Sequence, residues 1–166
     1  LSALTDRQLI GLTVAAGQSE ARYASERAGT SLPDSRRREL HSHIANTLFV
    51  QLDQTGVDGF GPSVVARHSH EAVCLGESEL AARGEVVALR AADEARMCHG
   101  GDMEARCLSW AVSMSSDSND QAALRLRRAE VLRGLGRFDE AVSELETLSN
   151  ESTLAADARA QATLGL

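Results

Sequence analysis

Residues 120–148, DQAALRLRRAEVLRGLGRFDEAVSELETL, carry the pattern from which the fold is read. Ala129, Leu132 and Leu135 recur at helical spacing, the chain passes through Gly136-Arg137, and Ala141, Val142, Leu145 and Leu148 recur at helical spacing beyond it. Apolar residues three and four apart put one stripe on each helix, so neither helix can bury its apolar face alone. A break as short as Gly136-Arg137 folds the two back on each other as an antiparallel hairpin. Ser118 and Gln121 have capping-box spacing and are read as the start of the first helix.

Weaker echoes of this turn lie upstream. GDMEA at 101–105 follows a helical run over 85–98, and GQSEA at 17–21 follows one over 6–16, each resembling the 136–141 turn with one residue fewer. Ala105 and Ala141 stand 36 positions apart, close to one period of a helical-hairpin repeat. A long amphipathic run from Pro33 carries Leu40, Ile44, Leu48 and Leu52 and ends in the glycine-rich stretch 56–61. That stretch lacks GxxxxGK[ST] and follows no strand, so it is read as an interhelix turn and not a phosphate loop. The expected architecture is all-α, a single domain over 1–166, with nine helices near 5–16, 19–29, 33–54, 62–75, 79–99, 102–115, 119–134, 138–149 and 151–165. Gly84 marks a place where the fifth could split.

Composition agrees with packed helices. Hydrophobic residues make up 43% and charged residues 25%, too apolar for a disordered chain. Only 3% is aromatic, so Leu, Val and Ala must build the core, and Ala has the best helix propensity. Pro33 and Pro62 lie where they can begin helices. A net charge of −7 gives no electrostatic support for nucleic-acid contact. The run Arg36-Arg37-Arg38 is flanked by Asp34 and Glu39 and reads as a solvated helix face. Every basic residue other than histidine is Arg, a bias typical of GC-rich bacterial coding. Cys74, Cys98 and Cys107 show no CxxC spacing, and no stretch has the length of an apolar membrane span. A cytoplasmic, reduced protein without membrane contact is expected. Leu1 in place of Met, and a helical pattern running to Leu166, are read as marks of a fragment of a longer chain.

No catalytic, cofactor or metal constellation emerges. His41-Ser-His43 and His68-Ser-His70 carry good zinc ligands, but residues two apart on a helix point to opposite sides, whereas chelation needs three or four. They are read as surface or groove histidines, and a metal-dependent helical hydrolase is the weakest alternative. The cysteines are read as buried small hydrophobes, Trp110 as a packing residue, and Met97, Met103 and Met114 as core fillers. GxSxG, HExxH and GxGxxG are absent.

Ala129, Leu132, Gly136, Phe138, Ala141 and Leu145 resemble the tetratricopeptide (TPR) pattern of small, bulky, glycine, aromatic, Ala and bulky residues. Arg125 and Arg128 depart from it, standing where the family has large apolar side chains. The texture of AAGQSEA at 15–21 and LRGLGRFDEA at 132–141 further resembles the TPR-like region of large MalT-like, LuxR-type bacterial transcription activators. The resemblance implies an α-solenoid of stacked hairpins, not an enzyme, acting as a regulatory and protein-interaction domain; a free-standing TPR adaptor is the alternative. It also implies contacts to a partner through the first helix of each pair, at Leu126, Arg127, Glu130 and Arg133, and at Arg90, Glu94 and Met97 one hairpin earlier. Glu130 stands where the carboxylate clamp of some TPR adaptors needs an amide. The partner expected is therefore an internal protein or peptide segment, another domain of the same chain, or a small effector, on a mixed-charge surface.

Overall fold

The computed structural model describes residues 32–55, 61–151 and 156–165. Contacts gather Arg38–Leu166 into one compact unit, and the packing below lies within it. The expected helices near 5–16 and 19–29, the turn at 17–21 and most of the glycine stretch lie outside the described residues.

Among the described residues seven α-helices follow one another: α1 (Asp34–Thr55), α2 (Pro62–Cys74), α3 (Ala81–Met97), α4 (Gly101–Met114), α5 (Ser118–Gly134), α6 (Phe138–Asn150) and α7 (Ala156–Gly165). A single 3-10 turn, Ser78–Leu80, leads into α3, and no strand occurs among the described residues. From α2 onward each helix packs against the next, and α2 also touches α4 while α5 touches α7.

Three of the interhelix turns are built alike. The backbone N–H of Glu77 donates to the Ala72 carbonyl at 3.0 Å, that of Gly100 to Ala95 at 2.8 Å, and that of Arg137 to Leu132 at 2.9 Å. Each skips five residues across a left-handed residue, respectively Gly76 (φ 101°), His99 (φ 56°) and Gly136 (φ 74°), which is the Schellman way of closing a helix. Gly100 (φ −88°, ψ 58°) and Arg137 (φ −87°, ψ 59°) then begin α4 and α6 with the same backbone.

These matched turns set the hairpins α3/α4 and α5/α6 in a register of 37 residues, one more than the Ala105-to-Ala141 spacing. Buried positions agree with it: Ala92 answers Ala129, Leu108 answers Leu145, and Ala111 answers Leu148. Ala105 and Ala141 are both buried, but the residue that answers Ala141 is Glu104.

The start of α5 differs from the capping box expected at Ser118. Asp117 is the cap, its carboxylate accepting from the N–H groups of Asn119 at 2.8 Å and Asp120 at 3.1 Å, which satisfies two orphan donors. Gln121 instead donates to the Ser115 carbonyl at 2.7 Å.

Core side chains fall into contiguous clusters. Ala45, Leu48 and Phe49 of α1 join Val65, Ala66 and Ala72 of α2, Val87 and Ala88 of α3, and Ala111 and Met114 of α4. The Arg83 guanidinium lies 4.1 Å from the centre of the Phe49 ring. Ala91 and Ala92 pack with Cys107 and Leu108, and a further cluster joins Ala129, Leu132, Ala141, Leu145, Leu148 and Ala162. Trp110 packs partly buried against the first two. Of the methionines only Met114 fills the core, while Met97 is 79% exposed and Met103 also reaches solvent. Cys107 alone of the three thiols is buried. Phe138, the aromatic of the TPR-like pattern, is 62% exposed, so its place in the pattern is not a place in the core.

Gly84 does not split a helix; it lies within α3, and the interruption falls at the preceding 3-10 turn. A Cβ on Gly84 would stand 2.6 Å from the Met114 Sδ and 2.8 Å from the Ser69 Cβ. Three helices therefore meet there at a distance only glycine permits. Gly134, near the end of α5, has nothing within 4 Å of such a Cβ. Gly134→Ala should accordingly gain up to about 1 kcal/mol of helix propensity, whereas Gly84→Ala should lose about 1–3 kcal/mol to overpacking despite the same gain. Urea melts of the two variants check this, and a stabilised Gly84→Ala protein would contradict the three-helix contact.

Candidate functional site

Helices α3, α5 and α7, the alternate members of the hairpin series, are linked along one side. Leu126, Arg127 and Glu130 of α5 line a groove of about 450 Å³ with Asn119, Ala123 and, from α7, Asp157, Ala158 and Gln161. Arg90, Glu94 and Met97 lie along α3 on a separate open concavity with Val86, Asp93 and Cys98. Six of the seven expected residues thus divide between two surfaces. Arg133 lines neither; it donates to the Gly165 carbonyl at 3.5 Å, where a cation complements the carbonyl end of a helix.

Arg127 joins three helices. Its Nη2 lies 2.8 Å from the Glu104 Oε1 of α4 and 2.8 Å from the Asp93 Oδ1 of α3, and its Nε lies 3.3 Å from the same Glu104 oxygen. The Glu104 side chain is only 6% exposed, that of Asp93 65%. A carboxylate so deeply buried requires a paired cation, and Arg127 provides it. Burial pulls the guanidinium pKa down, but hydrogen bonds to Glu104 and Asp93 and their charges outweigh it and raise it above the ordinary value. Arg127 is therefore a charged tie between helices before it is a contact for any partner.

The two arginines that depart from the TPR-like pattern behave similarly. Arg128 pairs with Glu144 of α6 at 2.8 Å, and Arg125 with Glu151 at 3.6 Å. Burial pushes the Glu144 carboxyl above its usual range in spite of Arg128. Glu144 is thus an interhelix group, its side chain only 11% exposed. On α3, Arg90 and Glu94 pair with each other at 3.1 Å.

The histidines form a different constellation. His41 of α1 and His68 of α2 face each other with their Nδ1 atoms 2.9 Å apart and ring centres 5.0 Å apart. One neutral ring must donate and the other accept. His70 lies 3.5 Å from the Cys74 sulfur through Nε2 and 6.1 Å, ring to ring, from Trp110. Burial raises the Cys74 thiol above its ordinary value, and Glu71 adds to the rise, the opposite of the shift that activates a thiol. Among the described residues, no group of three His, Cys, Asp or Glu side chains is placed to hold a metal ion, and no helix is long and apolar enough to cross a membrane.

No protein family, curated protein or solved structure matches this chain.

The histidine pair carries a pH dependence. Burial first, then the charges of His41 and Arg67, lower His68 from 6.5 to about 4, and burial also lowers His70. Between about pH 6.5 and 4 the unfolded chain binds a proton at His68 that the folded chain does not, so stability falls as pH falls through that window, by roughly 3 kcal/mol in all. Urea melts should show this loss in the wild-type protein and a smaller one in His68→Gln. Equal slopes in the two proteins would contradict the assignment.

Proposed function

We propose that this domain binds protein rather than catalysing a reaction, and that its partner lies on the face formed by α3, α5 and α7. The observation that supports this is the groove between α5 and α7, in which Ala123, Leu126 and Ala158 lie among polar and charged lining residues. Such a trough accepts an extended or helical segment, with apolar contacts supplying affinity and the polar edges supplying register. The stacked-hairpin, TPR-like reading belongs to the same proposal, supported by the repeated Schellman turns and the 37-residue register of α3/α4 and α5/α6.

The resemblance of LRGLGRFDEA to the helical region of MalT-like, LuxR-type regulators supports a more specific role. In that role the domain receives a signal from another part of a bacterial transcription regulator, or from a partner, and passes it on through the stacked helices. Fold alone does not give that function.

Ala123 is exposed in the groove, so Ala123→Trp fills the trough without disturbing the core. With a partner protein captured by the wild-type domain as the probe, isothermal titration should show affinity reduced about tenfold or more, equivalent to about 1.4 kcal/mol. Unchanged affinity in a variant of normal helicity would overturn the groove assignment.

A further inference from the structure

We propose that α3 pairs with the α3 of a second copy of this chain, antiparallel about a two-fold axis, to form a weak homodimer. The contact is separate from the groove between α5 and α7, and the two readings stand or fall independently.

Val86, Arg90, Asp93 and Met97 are all exposed and fall four, three and four residues apart along α3. Alternate steps of three and four draw the seam by which one helix packs along another in a coiled coil. The two ends of this seam are apolar, Val86 being 67% and Met97 79% exposed, and its middle is charged. The open concavity on which the seam lies is lined only by residues of α3 and its C-cap, Cys98. The apolar ends are therefore uncovered.

Charge decides what covers them. When two copies of α3 run antiparallel with the axis between positions 91 and 92, Val86 faces the partner's Met97 and Arg90 faces the partner's Asp93. The two-fold repeats both matches, so an apolar layer closes each end and two oppositely charged pairs fill the middle. A parallel pairing would set Arg90 on Arg90 and Asp93 on Asp93, like against like, and a head-to-tail contact does not close. An acidic segment would meet Asp93 and Glu94, and a basic one would meet Arg90. Within one copy Arg90 pairs with Glu94 at 3.1 Å and Asp93 with Arg127 at 2.8 Å. These pairs can remain in the dimer, because a guanidinium carries enough donors for two carboxylates and a carboxylate accepts from two guanidinium groups. A polar layer in such a seam sets register and orientation at a cost in stability.

The seam spans about 17 Å, at about 1.5 Å per residue on a helix about 10 Å wide, and so buries less than the roughly 800 Å² per partner of a standard interface. Each copy also carries a net charge of −7, which opposes association until salt screens it. Both facts make the dimer weak.

Sedimentation velocity on the 166-residue chain in about 0.15 M salt should show dimer growing with concentration below about 1 mM. A monomer throughout would overturn the proposal, whatever other protein takes this surface. Val86→Glu with Met97→Glu should weaken association at least about tenfold at unchanged helicity. Phe138→Glu with Leu164→Glu, which alters side chains 62% and 87% exposed on α6 and α7, should leave it within about twofold. Equal losses in the two would mean unspecific apolar association and would overturn the proposal. Cross-linking reads the orientation, in a background of Cys74→Ser and Cys98→Ser. A mixture of Val86→Cys and Met97→Cys chains should be joined by a short bis-maleimide, and neither variant alone should be, since like positions stand about 17 Å apart along the pair. Either variant joined to itself as readily as the mixture would overturn the antiparallel pairing.

Discussion

The guanidinium of Arg127 reaches from α5 to the buried Glu104 of α4 and the exposed Asp93 of α3, and the relation between the two best-defined hairpins depends on it. The 37-residue register explains why that matters. At Ala141 the second hairpin has the small residue that lets paired helices approach; at the matching place the first hairpin has Glu104. A carboxylate there cannot be left alone, because an uncompensated buried charge costs several kcal/mol. The next hairpin supplies the answering cation, so hairpin-to-hairpin docking is fixed by a polar tie as well as by the packing of Leu124 and Val131 against Ala91, Ala92, Cys107 and Leu108. Ion pairs of this kind seldom add net stability over an apolar substitute, but they penalise every arrangement that separates the partners.

The same tie shapes the surface. By holding Arg127 against Glu104 and Asp93, the packing commits that guanidinium to the chain's own carboxylates. At the following interface Ala141, which stands where Glu104 stands in the first hairpin, needs no cation, and Gln161 of α7 contributes an amide to the groove.

Much of the helical order was legible in the residues. Gly136 and the apolar stripes around it place the α5/α6 turn, and the double glycine at 100–101 places the α3/α4 turn, although the left-handed residue there is His99 and no propensity rule selects histidine for it. Gly84 was ambiguous in principle, because a glycine within a helical pattern signals a break or a close approach, and only the positions of Met114 and Ser69 distinguish these. The groove was legible in part. Leu126, Arg127 and Glu130 do share one surface, but helical spacing does not reveal that Arg127 turns inward, because its partners lie 23 and 34 residues away. Nor does it reveal Asp157, Ala158 and Gln161, which carry no motif and enter the groove only through the packing of α7 on α5.

The coupling between Glu104 and Arg127 is the most direct measure of this account. A double-mutant cycle with Glu104→Leu and Arg127→Met, followed by urea unfolding, isolates it. Arg127→Met alone should cost about 3–5 kcal/mol, since it strands a buried carboxylate, and the double variant should be more stable than that single variant, with an interaction energy of about 2 kcal/mol or more. Losses that add within about 0.5 kcal/mol would show that the two groups do not depend on each other and would contradict the polar tie between the hairpins.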